Sequence, residues 1–590
     1  MLKGLNEQQI DAIKQEGNVL LTACPGSGKT RALTYKIAYE LSILPHSKKK
    51  IIAVTFTNRA ADEIKKRLRD LNIDDSNLWA GTIHAFCLEW IIRPNMCYLE
   101  ELKNGFAISD EYNSETLLSD LKKKNGVNAY TQISTKYLTN GQKKERTFIR
   151  IVNEYHDILA ANKLIDFDQI LHYAYKIIST FPKISETLKN MFHLICVDEY
   201  QDTQELLYAI LAEIMIAKTG ECRVFIVGDK DQAIYGSLGG VAKSIEEIQA
   251  QFGNLEITSK ELSGNYRSNQ QIIDYYRNFQ TSNIEIVAVG HNASQNATIT
   301  YNTAINKDDL EPYIAQIIQE KLLSGVPEHE ICVLAPTWYL VIPMGRRLKT
   351  LLPSVSFDAV GLSPLLKNQE NFWFKVARLF LVEPSPKNYS LRQRWATELI
   401  NEMKSIGIIG IEDDKLNAKY LLKSINSIIS AENEGLDYLE DCFSKLFARF
   451  EIGKDNNEFL KLHWQTFFDG ARVRLAKPEF NLASDIDSFK RMFKHESGVV
   501  VNTCHGIKGE EFDTVIAFGL LHEILPNRND DSDEAANKLL YVICSRAKSE
   551  LHLVSEQRAK NRRGDEFYGP TQQLYDVEYE YSDSPIVNRS

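Results

Sequence analysis

The chain has 590 residues, of which 44% are hydrophobic and 25% are charged, and its formal net charge is −10 at pH 7. At about 150 residues per domain, this length predicts about four domains. The composition is typical of globular proteins and argues against collagen-like, disordered and disulfide-scaffold classes. No apolar run reaches the length of a bilayer-spanning helix, and the polar N-terminus lacks the apolar core of a signal peptide.

The net charge bears on nucleic-acid binding, and the cysteine spacing bears on the cellular location of the protein. The nine cysteines are scattered and show no C-x-x-C spacing, so we expect reduced thiols in a cytoplasmic protein with no membrane association. The acidic balance disfavours a globally basic DNA-binding protein. It leaves open a local groove for nucleic acid, because such binding depends on where the cations lie.

Short apolar runs alternate with helical stretches along the first half of the chain. The runs occupy residues 19–22, 51–56, 194–197 and 224–227, and polar residues follow each of them. This alternation predicts α/β architecture with parallel sheets. In such sheets ligands bind at the carboxyl ends of the strands, so the polar residues there are candidate site residues.

Two helical segments interrupt this pattern, and strand-like runs return at residues 499–501 and 515–518. We therefore predict a first core at residues 1–87 and 161–257, interrupted by a helical insert at 88–160. A second core at 258–364 and 496–557 is interrupted by a helical insert at 365–495. A polar tail follows at 558–590, and we expect its end to be poorly ordered.

Residues 23–30, ACPGSGKT, match the P-loop pattern except that Ala23 occupies the first glycine position. Glycines in such a loop let backbone N–H groups turn toward phosphate oxygens, and the following helix adds its positive N-terminal end. Lys29 would reach the β- and γ-phosphates, and Thr30 would ligate Mg²⁺. A chance glycine-rich turn is disfavoured by the strand before it and the helix after it. The expected nucleotide contacts here are Ala23, Gly26, Ser27, Gly28, Lys29, Thr30 and Arg31.

Residues 194–199, LICVDE, form an apolar run that ends in two acids. Asp198 is placed to hold Mg²⁺, and Glu199 is placed to orient or deprotonate the attacking water. Such a run is weak evidence alone and strong evidence with a P-loop upstream. The pair predicts hydrolysis or transfer of the γ-phosphate of a nucleoside triphosphate.

From residues 198–202, DEYQD, the chain resembles the UvrD/Rep family of superfamily 1A DNA helicases. The resemblance continues in order from residue 9 to residue 546. The segments that carry it are LNEQQ at 5–9, AVTFTNRAA at 53–61, GTIHAF at 81–86, IDFD at 165–168, VGDKDQAIY at 227–235, LSGNYRS at 262–268, VNTCHGIKGEEF at 501–512 and LYVICSRA at 540–547.

The resemblance implies two RecA-like P-loop NTPase cores, each with a mainly helical insertion (the 1A/1B/2A/2B architecture), with ATP and Mg²⁺ between the cores. It adds three residues to Lys29, Asp198 and Glu199 as catalytic candidates: Gln232 at the γ-phosphate or water, and Arg267 and Arg546 at the γ-phosphate. An arginine in that role is worth about 10³–10⁵ in rate in other NTPases. For the rest of the nucleotide it implies Gln9 and Tyr266 at adenine and Glu511 at ribose.

The resemblance also implies that single-stranded DNA lies across both cores. The residues it assigns to DNA are Phe56, Thr57, Asn58, Thr82, His84, Tyr235, Thr503 and His505. Hydroxyls and amides at strand ends suit phosphates, and aromatic rings suit base stacking. Without the resemblance, Phe56 and Phe86 fit a position in the hydrophobic core as well as a contact with DNA.

Three departures from the family pattern bear on unwinding. After Tyr235 the family usually continues Arg-Trp-Arg, whereas this chain has GSL at 236–238. Where the family often has Tyr-Arg after a strand, this chain has Ala335-Pro336 with Trp338 nearby. The second insert is also shorter than is usual. These departures leave the ATPase intact and weigh against processive unwinding.

Two functions follow from these observations. The first is an ATP-dependent 3′–5′ DNA helicase or translocase in repair or recombination, acting on single-stranded and tailed duplex DNA, with a repair protein as a candidate partner. The second is a DNA-stimulated ATPase that serves as sensor or motor in an anti-phage complex with a separate nuclease, as in Gabija-type systems. A P-loop kinase is disfavoured because it leaves the segments after residue 227 unexplained.

Overall fold

The computed structural model describes residues 2–44, 48–109, 111–129, 131–236, 239–365, 371–409, 416–453, 457–477, 482–493, 498–526, 532–560 and 566–583. Within these ranges the chain forms two cores built on parallel sheets and two largely helical inserts, which confirms the predicted α/β class. No helix among the described residues is long and apolar enough to cross a membrane.

The strands are short and lie mainly in the two sheets. In chain order they are β1 (Asn18–Ala23), β2 (Lys50–Thr55), β3 (Leu78–Thr82), β4 (Ala107–Ile108), β5 (Leu164–Ile165), β6 (Phe192–Val197), β7 (Arg223–Gly228), β8 (Ile257–Leu262), β9 (Gly264–Asn265), β10 (Val287–Ala288), β11 (Thr298–Asn302), β12 (Ile331–Ala335), β13 (Phe357–Ala359), β14 (Val499–Thr503), β15 (Phe512–Ala517) and β16 (Ala547–Val554).

The α-helices cover the sheets and build the inserts. In chain order they are α1 (Glu7–Lys14), α2 (Lys29–Ile43), α3 (Asn58–Asp70), α4 (Ile83–Phe86), α5 (Arg93–Asn95), α6 (Glu111–Lys124), α7 (Ile149–Ala161), α8 (Phe167–Thr180), α9 (Pro182–Met191), α10 (Glu205–Met215), α11 (Ile245–Gln251), α12 (Gln270–Arg277), α13 (Leu310–Leu323), α14 (Trp338–Leu351), α15 (Phe372–Leu381), α16 (Pro386–Ser405), α17 (Ala418–Asn426), α18 (Gly435–Arg449), α19 (Glu458–Leu475), α20 (Ile486–Arg491), α21 (Asp533–Cys544) and α22 (Gln572–Tyr575).

The first core is a six-stranded parallel sheet in the order β3-β2-β6-β7-β1-β8. Its central strands are buried along nearly their whole length, which explains their continuous apolar sequences. Helices α1, α2 and α3 cover one face, and α8 and α10 cover the other. Strand β8 pairs with β1 and therefore belongs to this sheet, although the predicted boundary after residue 257 places it in the second core.

The second core is a six-stranded parallel sheet in the order β11-β16-β15-β12-β14-β13. Helices α12 and α21 pack on one face, and α13 and α14 pack on the other. The chain leaves this sheet after β13 and returns to it at β14, and the two strands pair in parallel. The second insert is therefore inserted in the sequence between two strands that are neighbours in the sheet.

Each insert has a hydrophobic core of its own. In the first insert α6 and α7 pack around Leu121, Val152 and Tyr155. In the second insert α15 to α20 pack around Trp373 and Phe443, whose rings stack with centroids 5.3 Å apart. The second insert also touches the first core, because Arg394 of α16 pairs with Asp62 of α3. It reaches the first insert where Thr466 hydrogen bonds Asn113.

The described part of the tail packs on the second core, which differs from the expected poor order. The Tyr579 ring lies 5.0 Å from that of Tyr275, and the Tyr581 ring lies 5.6 Å from that of Tyr301. The backbone N–H of Ser582 donates to Ile299 of β11 at 2.8 Å. Because β11 is at the edge of its sheet, the tail satisfies a carbonyl there. Residues 584–590 lie outside the described ranges.

Candidate nucleotide site and nucleic-acid interface

The phosphate loop connects β1 to α2, where the sequence predicts it. Gly26 and Gly28 adopt φ values of +67° and +79°, which side chains with a Cβ rarely tolerate. A Cβ at Gly26 would also lie 2.7 Å from the Cβ of Arg267. The Ser27 hydroxyl donates to the Cys24 carbonyl at 2.7 Å and holds the loop closed. The loop is thus shaped for an anion and is approached directly by the second core.

Lys29 stands at the start of α2 and faces the acids that follow β7 and β6. Its Nζ lies 3.8 Å from Oδ2 of Asp229. Burial raises the pKa of Asp229 to about 6, against the opposing charge of Lys29. Sequence reasoning did not select Asp229, although it directly follows a buried strand as Asp198 does.

The two acids after β6 have different surroundings. Burial, together with the charge of Glu199, raises the pKa of Asp198 to about 7. Burial also acts to raise the pKa of Glu199, but the charges of Lys29, Lys508 and Arg546 and the Gln201 hydrogen bond together lower it. Glu199 also has φ of +50°, a left-handed conformation that is costly for a residue with a side chain. The Gln201 amide donates to Glu199 Oε2 at 2.5 Å and so fixes the side chain in the cleft.

Two arginines of the second core reach this cleft. Arg546 is 1% exposed, and its Nη2 donates to Oε1 of Gln232 at 2.6 Å. Burial lowers the pKa of Arg546 to about 9, which leaves it charged near neutral pH. Arg267 donates from Nε to Oε2 of Glu511 at 2.8 Å and from Nη1 to the carbonyl of Ser545 at 2.8 Å.

The expected adenine side is built by α1 and the segment after β8. The Tyr266 ring is exposed, and its hydroxyl accepts from Nδ2 of Asn6 at 2.8 Å. The Gln9 amide is buried, donates to the Ser27 carbonyl at 3.0 Å and accepts from the Asn6 backbone. One N–H and one lone pair of the Gln9 amide are therefore engaged within the protein, and the amide has a second N–H and a second lone pair of the kind that adenine recognition would use. Arg31 donates to the Gly4 carbonyl at 3.0 Å.

The phosphate loop, Glu199 and the two arginines line one cavity of about 550 Å³ between the cores, a size within the range of small-molecule sites. Ala23, Gln9, Asp198 and Tyr266 are not among its lining residues. The lining residues are Pro25, Gly26, Ser27, Gly28, Lys29, Thr30, Arg31, Tyr35, Arg67, Asp70, Leu71, Glu199, Gln232, Arg267, Gly509, Glu511 and Arg546.

A buried ion pair connects the acids of the first core to the second core. Nζ of Lys508 lies 2.6 Å from Oδ2 of Asp202, and both side chains are largely buried. The same ammonium donates to the backbone carbonyl of Gln232 and lies 5.3 Å from the centre of the Tyr235 ring. Lys508 thus contacts both the segment that bonds Arg546 and an aromatic ring outside the cavity. Nothing in the local sequence around Lys508 indicated this role.

Three rings form a continuous aromatic row beside the cavity. The exposed ring of Phe56 lies 4.9 Å from that of Tyr235, which lies 5.4 Å from that of His505. The Tyr235 hydroxyl donates to the His505 carbonyl at 3.1 Å. Phe56 and Tyr235 belong to the first core and His505 to the second, so the row crosses between the cores. Phe86 is fully buried, as the core alternative expects. Ser237 and Leu238 lie outside the described residues.

The other expected DNA residues differ in accessibility. Thr57 and Asn58 are exposed, and Thr57 caps α3 by accepting from the Ala60 N–H at 3.2 Å. Thr82 caps α4 in the same way. Thr503 is 3% exposed and its hydroxyl accepts from Gly506 N–H, so its side chain shapes the turn from inside.

The two histidines are expected to be uncharged near neutral pH. Burial lowers the pKa of His84 to about 4, and burial also lowers the pKa of His505. His505 Nε2 lies 3.2 Å from the Ile234 carbonyl. Neither histidine therefore offers a phosphate a positive charge at pH 7.

Comparison with known proteins agrees with this geometry. The model of the UvrD/REP helicase N-terminal domain matches residues 5–253, and that of the UvrD-like helicase C-terminal domain matches residues 479–558. The ATP-dependent DNA helicase PcrA of Staphylococcus epidermidis (strain RP62A) is 24% identical over 637 residues, covering 94% of this chain and 84% of that protein. The ATP-dependent DNA helicase PcrA of Staphylococcus aureus (strain Mu50) is 24% identical over 628 residues, covering 94% and 83%.

Proposed function

Because the chain belongs to the UvrD/Rep-like family of superfamily 1 helicases and is an ATP-dependent DNA helicase, we propose that it moves 3′ to 5′ along single-stranded DNA in repair or recombination. The direction and the pathway are inferred from the family, and the observation that supports coupling of ATP hydrolysis to movement is the position of Arg546. This arginine of the second core bonds Gln232 of the first core at the ATP cavity. Gln232 lies three residues before Tyr235 of the aromatic row. A movement of Gln232 on ATP binding or hydrolysis would therefore be passed directly to the ring that we propose contacts DNA.

The residues of the cavity divide the chemistry of ATP hydrolysis between the cores. The phosphate loop and Lys29 hold the β- and γ-phosphates, and Glu199 orients the attacking water and receives its proton. Arg267 and Arg546 neutralise the charge that develops as the bond to the γ-phosphate breaks. Since these arginines come from the second core, hydrolysis depends on the two cores being closed.

The donor set fits Mg²⁺. The Thr30 hydroxyl and the Asp198 carboxylate are oxygen ligands, which this hard cation prefers in company with substrate phosphates and water. Burial, together with the charge of Glu199, raises the pKa of Asp198, and a cation beside this carboxylate would favour its ionised form. When bound, Mg²⁺ supplies charge neutralisation on the phosphate oxygens. The described residues hold no group of three or more His, Cys, Asp or Glu that could bind a metal ion.

The contacts among described residues support coupling to DNA movement. Hydrolysis and phosphate loss remove the charge that Arg546 and Arg267 face, which weakens closure of the cleft. Opening would separate Lys508 from Asp202 and Tyr235 from His505, because each pair spans the cores. The aromatic row would then alternate between a continuous and a divided state, which can release and regrip bases. The nine unpaired thiols support a reducing, cytoplasmic location.

A second candidate is a DNA-stimulated ATPase that acts as sensor or motor in an anti-phage complex with a separate nuclease. The half-buried position of Tyr235 favours it, because its hydroxyl and ring are already engaged by His505 and Lys508. Such a ring offers less free surface for holding a strand during unwinding.

One experiment separates these proposals. Strand displacement with ATP is measured on matched duplexes with a 3′ tail or a 5′ tail, and phosphate release is read in the same reaction. Displacement from the 3′ tail alone supports the 3′–5′ helicase. Displacement from the 5′ tail alone contradicts the proposed direction. DNA-stimulated phosphate release without displacement supports the sensor or motor subunit. Phosphate release that DNA does not stimulate contradicts both.

A further inference from the structure

The first turn of α1 and its cap contact the segment that carries Tyr266 and Arg267. Nδ2 of Asn6 donates to the Tyr266 hydroxyl at 2.8 Å. Gln8 holds the same segment earlier, since it donates to the Ser263 hydroxyl at 2.9 Å and accepts from the Ser263 N–H at 3.2 Å. Ser263 directly follows β8 of the first sheet, whereas Arg267 contacts the second core. The start of α1 therefore holds the chain where it passes from one core to the other.

Asn6 connects the two residues expected at adenine. Its Oδ1 caps α1 by accepting from the Gln9 N–H at 2.7 Å, and its own backbone N–H donates to Oε1 of Gln9 at 3.2 Å. Nε2 of Gln9 donates to the Ser27 carbonyl at 3.0 Å. Because a backbone N–H only donates and a carbonyl only accepts, these partners fix the orientation of the Gln9 amide. One hydrogen-bonded chain thus runs from the phosphate loop through Gln9 and Asn6 to Tyr266.

The Tyr266 residue is held at two points, and its side chain remains accessible. Its backbone N–H donates to the Gly26 carbonyl of the phosphate loop at 2.9 Å, and its hydroxyl accepts from Asn6. Gly26 lines the ATP cavity, and the Tyr266 side chain is 39% exposed. A ring that is fixed before the ligand arrives loses little conformational freedom when a base stacks on it.

We propose that Asn6 is a positioning residue for ATP, which holds the Tyr266 hydroxyl and so keeps the ring in the orientation that stacks on adenine. This inference rests on the expected contact of Tyr266 with adenine, and it names the residue of the first core on which that contact depends. Without the bond, the ring could turn about its side-chain torsions. Ordering it again on each binding event would weaken the affinity for ATP.

A set of substitutions separates this bond from the helix cap. Asn6→Ser keeps a capping oxygen, since serine caps helices about as well as asparagine, but its side chain is too short to reach Tyr266. Asn6→Asp keeps both the cap and the length, and the Tyr266 hydroxyl can then donate to the carboxylate. Tyr266→Phe removes the hydroxyl and keeps the ring. The control Asp11→Ala removes another contact of α1, the pair with Lys260 at 2.7 Å.

The measurements separate the base from the phosphates. Phosphate release without DNA gives kcat and KM for ATP, and ADP and inorganic pyrophosphate are added as competing inhibitors, because pyrophosphate has no base. Asn6→Ser should raise the KM for ATP and the inhibition constant of ADP by about 2- to 10-fold, the usual worth of one hydrogen bond. The kcat and the inhibition constant of pyrophosphate should stay near those of the unaltered chain, because the lost interaction lies at the base.

The variants should also agree with one another. Tyr266→Phe should reproduce the loss from Asn6→Ser, and the double variant should lose nothing further, because both changes remove the same bond. Asn6→Asp should retain most of the affinity for ATP, and Asp11→Ala should retain all of it. Thermal unfolding of each variant checks the fold.

Two results would overturn the inference. One is an unchanged KM for ATP in Asn6→Ser while Tyr266→Ala raises it, which would leave the adenine contact in place and independent of Asn6. The other is an equal loss for ADP and pyrophosphate, which would show that Asn6 acts through the phosphate loop or the fold. An unchanged KM in Tyr266→Ala would instead contradict the contact of Tyr266 with adenine, and the inference with it.

Discussion

At the scale of single residues, the cavity brings polar side chains of the two cores within hydrogen-bond distance of each other. Lys29 lies near Asp229, and Arg546 bonds Gln232 across the cleft. Glu199 keeps a lowered pKa because Lys29, Lys508 and its other polar neighbours together outweigh its burial. The Glu199 carboxyl is therefore ionised at neutral pH despite its burial.

Lys29→Ala should lower ATP turnover by about a hundred- to a thousandfold, because it removes a preorganised cation from the phosphates. Phosphate release with DNA present measures this. Lys260→Ala, which removes a lysine paired with Asp11 at the surface of the same core, should leave turnover unchanged. Substantial turnover in Lys29→Ala would refute the role of the phosphate loop.

Glu199→Gln should bind ATP and lose most of its hydrolysis, since an amide cannot take the proton of the attacking water. Binding is measured with a fluorescent ATP analogue and hydrolysis by phosphate release. Normal turnover in this variant would remove Glu199 as the water-orienting residue.

At the scale of elements, the strands that form the sheets were predictable and the contacts between them were not. The apolar runs at 51–56 and 224–227 correspond to β2 and β7 because buried parallel strands leave a local pattern. The placement of β8 in the first sheet and the packing of Tyr581 depend on partners far away in the chain. The close approach of Arg267 to Gly26 likewise has no local signal.

A buried carboxylate, Glu40, links helix α2 to the sheet of the first core. The sequence alone did not indicate this role. Glu40 of α2 accepts from Arg223 Nη2 of β7 at 2.6 Å and pairs with Lys36 at 2.8 Å and with His193 of β6 at 3.1 Å. Burial acts to raise the pKa of Glu40, but these partners together lower it from 4.5 to about 2. The folded state therefore binds this proton more weakly than the unfolded state does.

Glu40→Gln should reduce the free energy of unfolding by roughly 3 kcal/mol at pH 7, from the size of this pKa shift. The contribution of Glu40 is present above about pH 4.5 and is lost as the pH falls toward 2. The difference between the two proteins should thus shrink with acidification, as measured by denaturant unfolding at several pH values. The control Glu63→Gln breaks an exposed pair with Arg67 and should cost less than about 1 kcal/mol. An equal cost at pH 7 and at about pH 2.5 would contradict the assignment.

At the scale of the whole molecule, contacts between the cores connect the nucleotide cavity to the aromatic row. Lys508 of the second core contacts Asp202, the Gln232 carbonyl and the Tyr235 ring of the first core. Asp231 adds a second connection, because its carboxylate accepts from the backbone and hydroxyl groups of Thr281 and Ser282. The motif order predicted the cleft. The identity of these connecting pairs required the structure.

Lys508→Met should lower the ratio of DNA-stimulated to basal ATP turnover, because it removes the cation shared by the acids and the aromatic row. Phosphate release with and without oligothymidylate gives the ratio. Lys321→Met breaks a comparable pair with Glu550 inside the second core and should leave the ratio unchanged. A normal ratio in Lys508→Met would show that coupling takes another route.

The distribution of thiols makes this protein suitable for selective labelling. Among its nine cysteines only Cys97 is exposed, and burial raises the pKa of Cys24 and Cys222 to about 12. Since the thiolate is the reactive form, a maleimide dye should attach once per folded chain, at Cys97. A fluorophore there stands at the junction of the first core and its insert. A partner fluorophore on a DNA end would then report the distance between strand and motor in the otherwise unaltered protein.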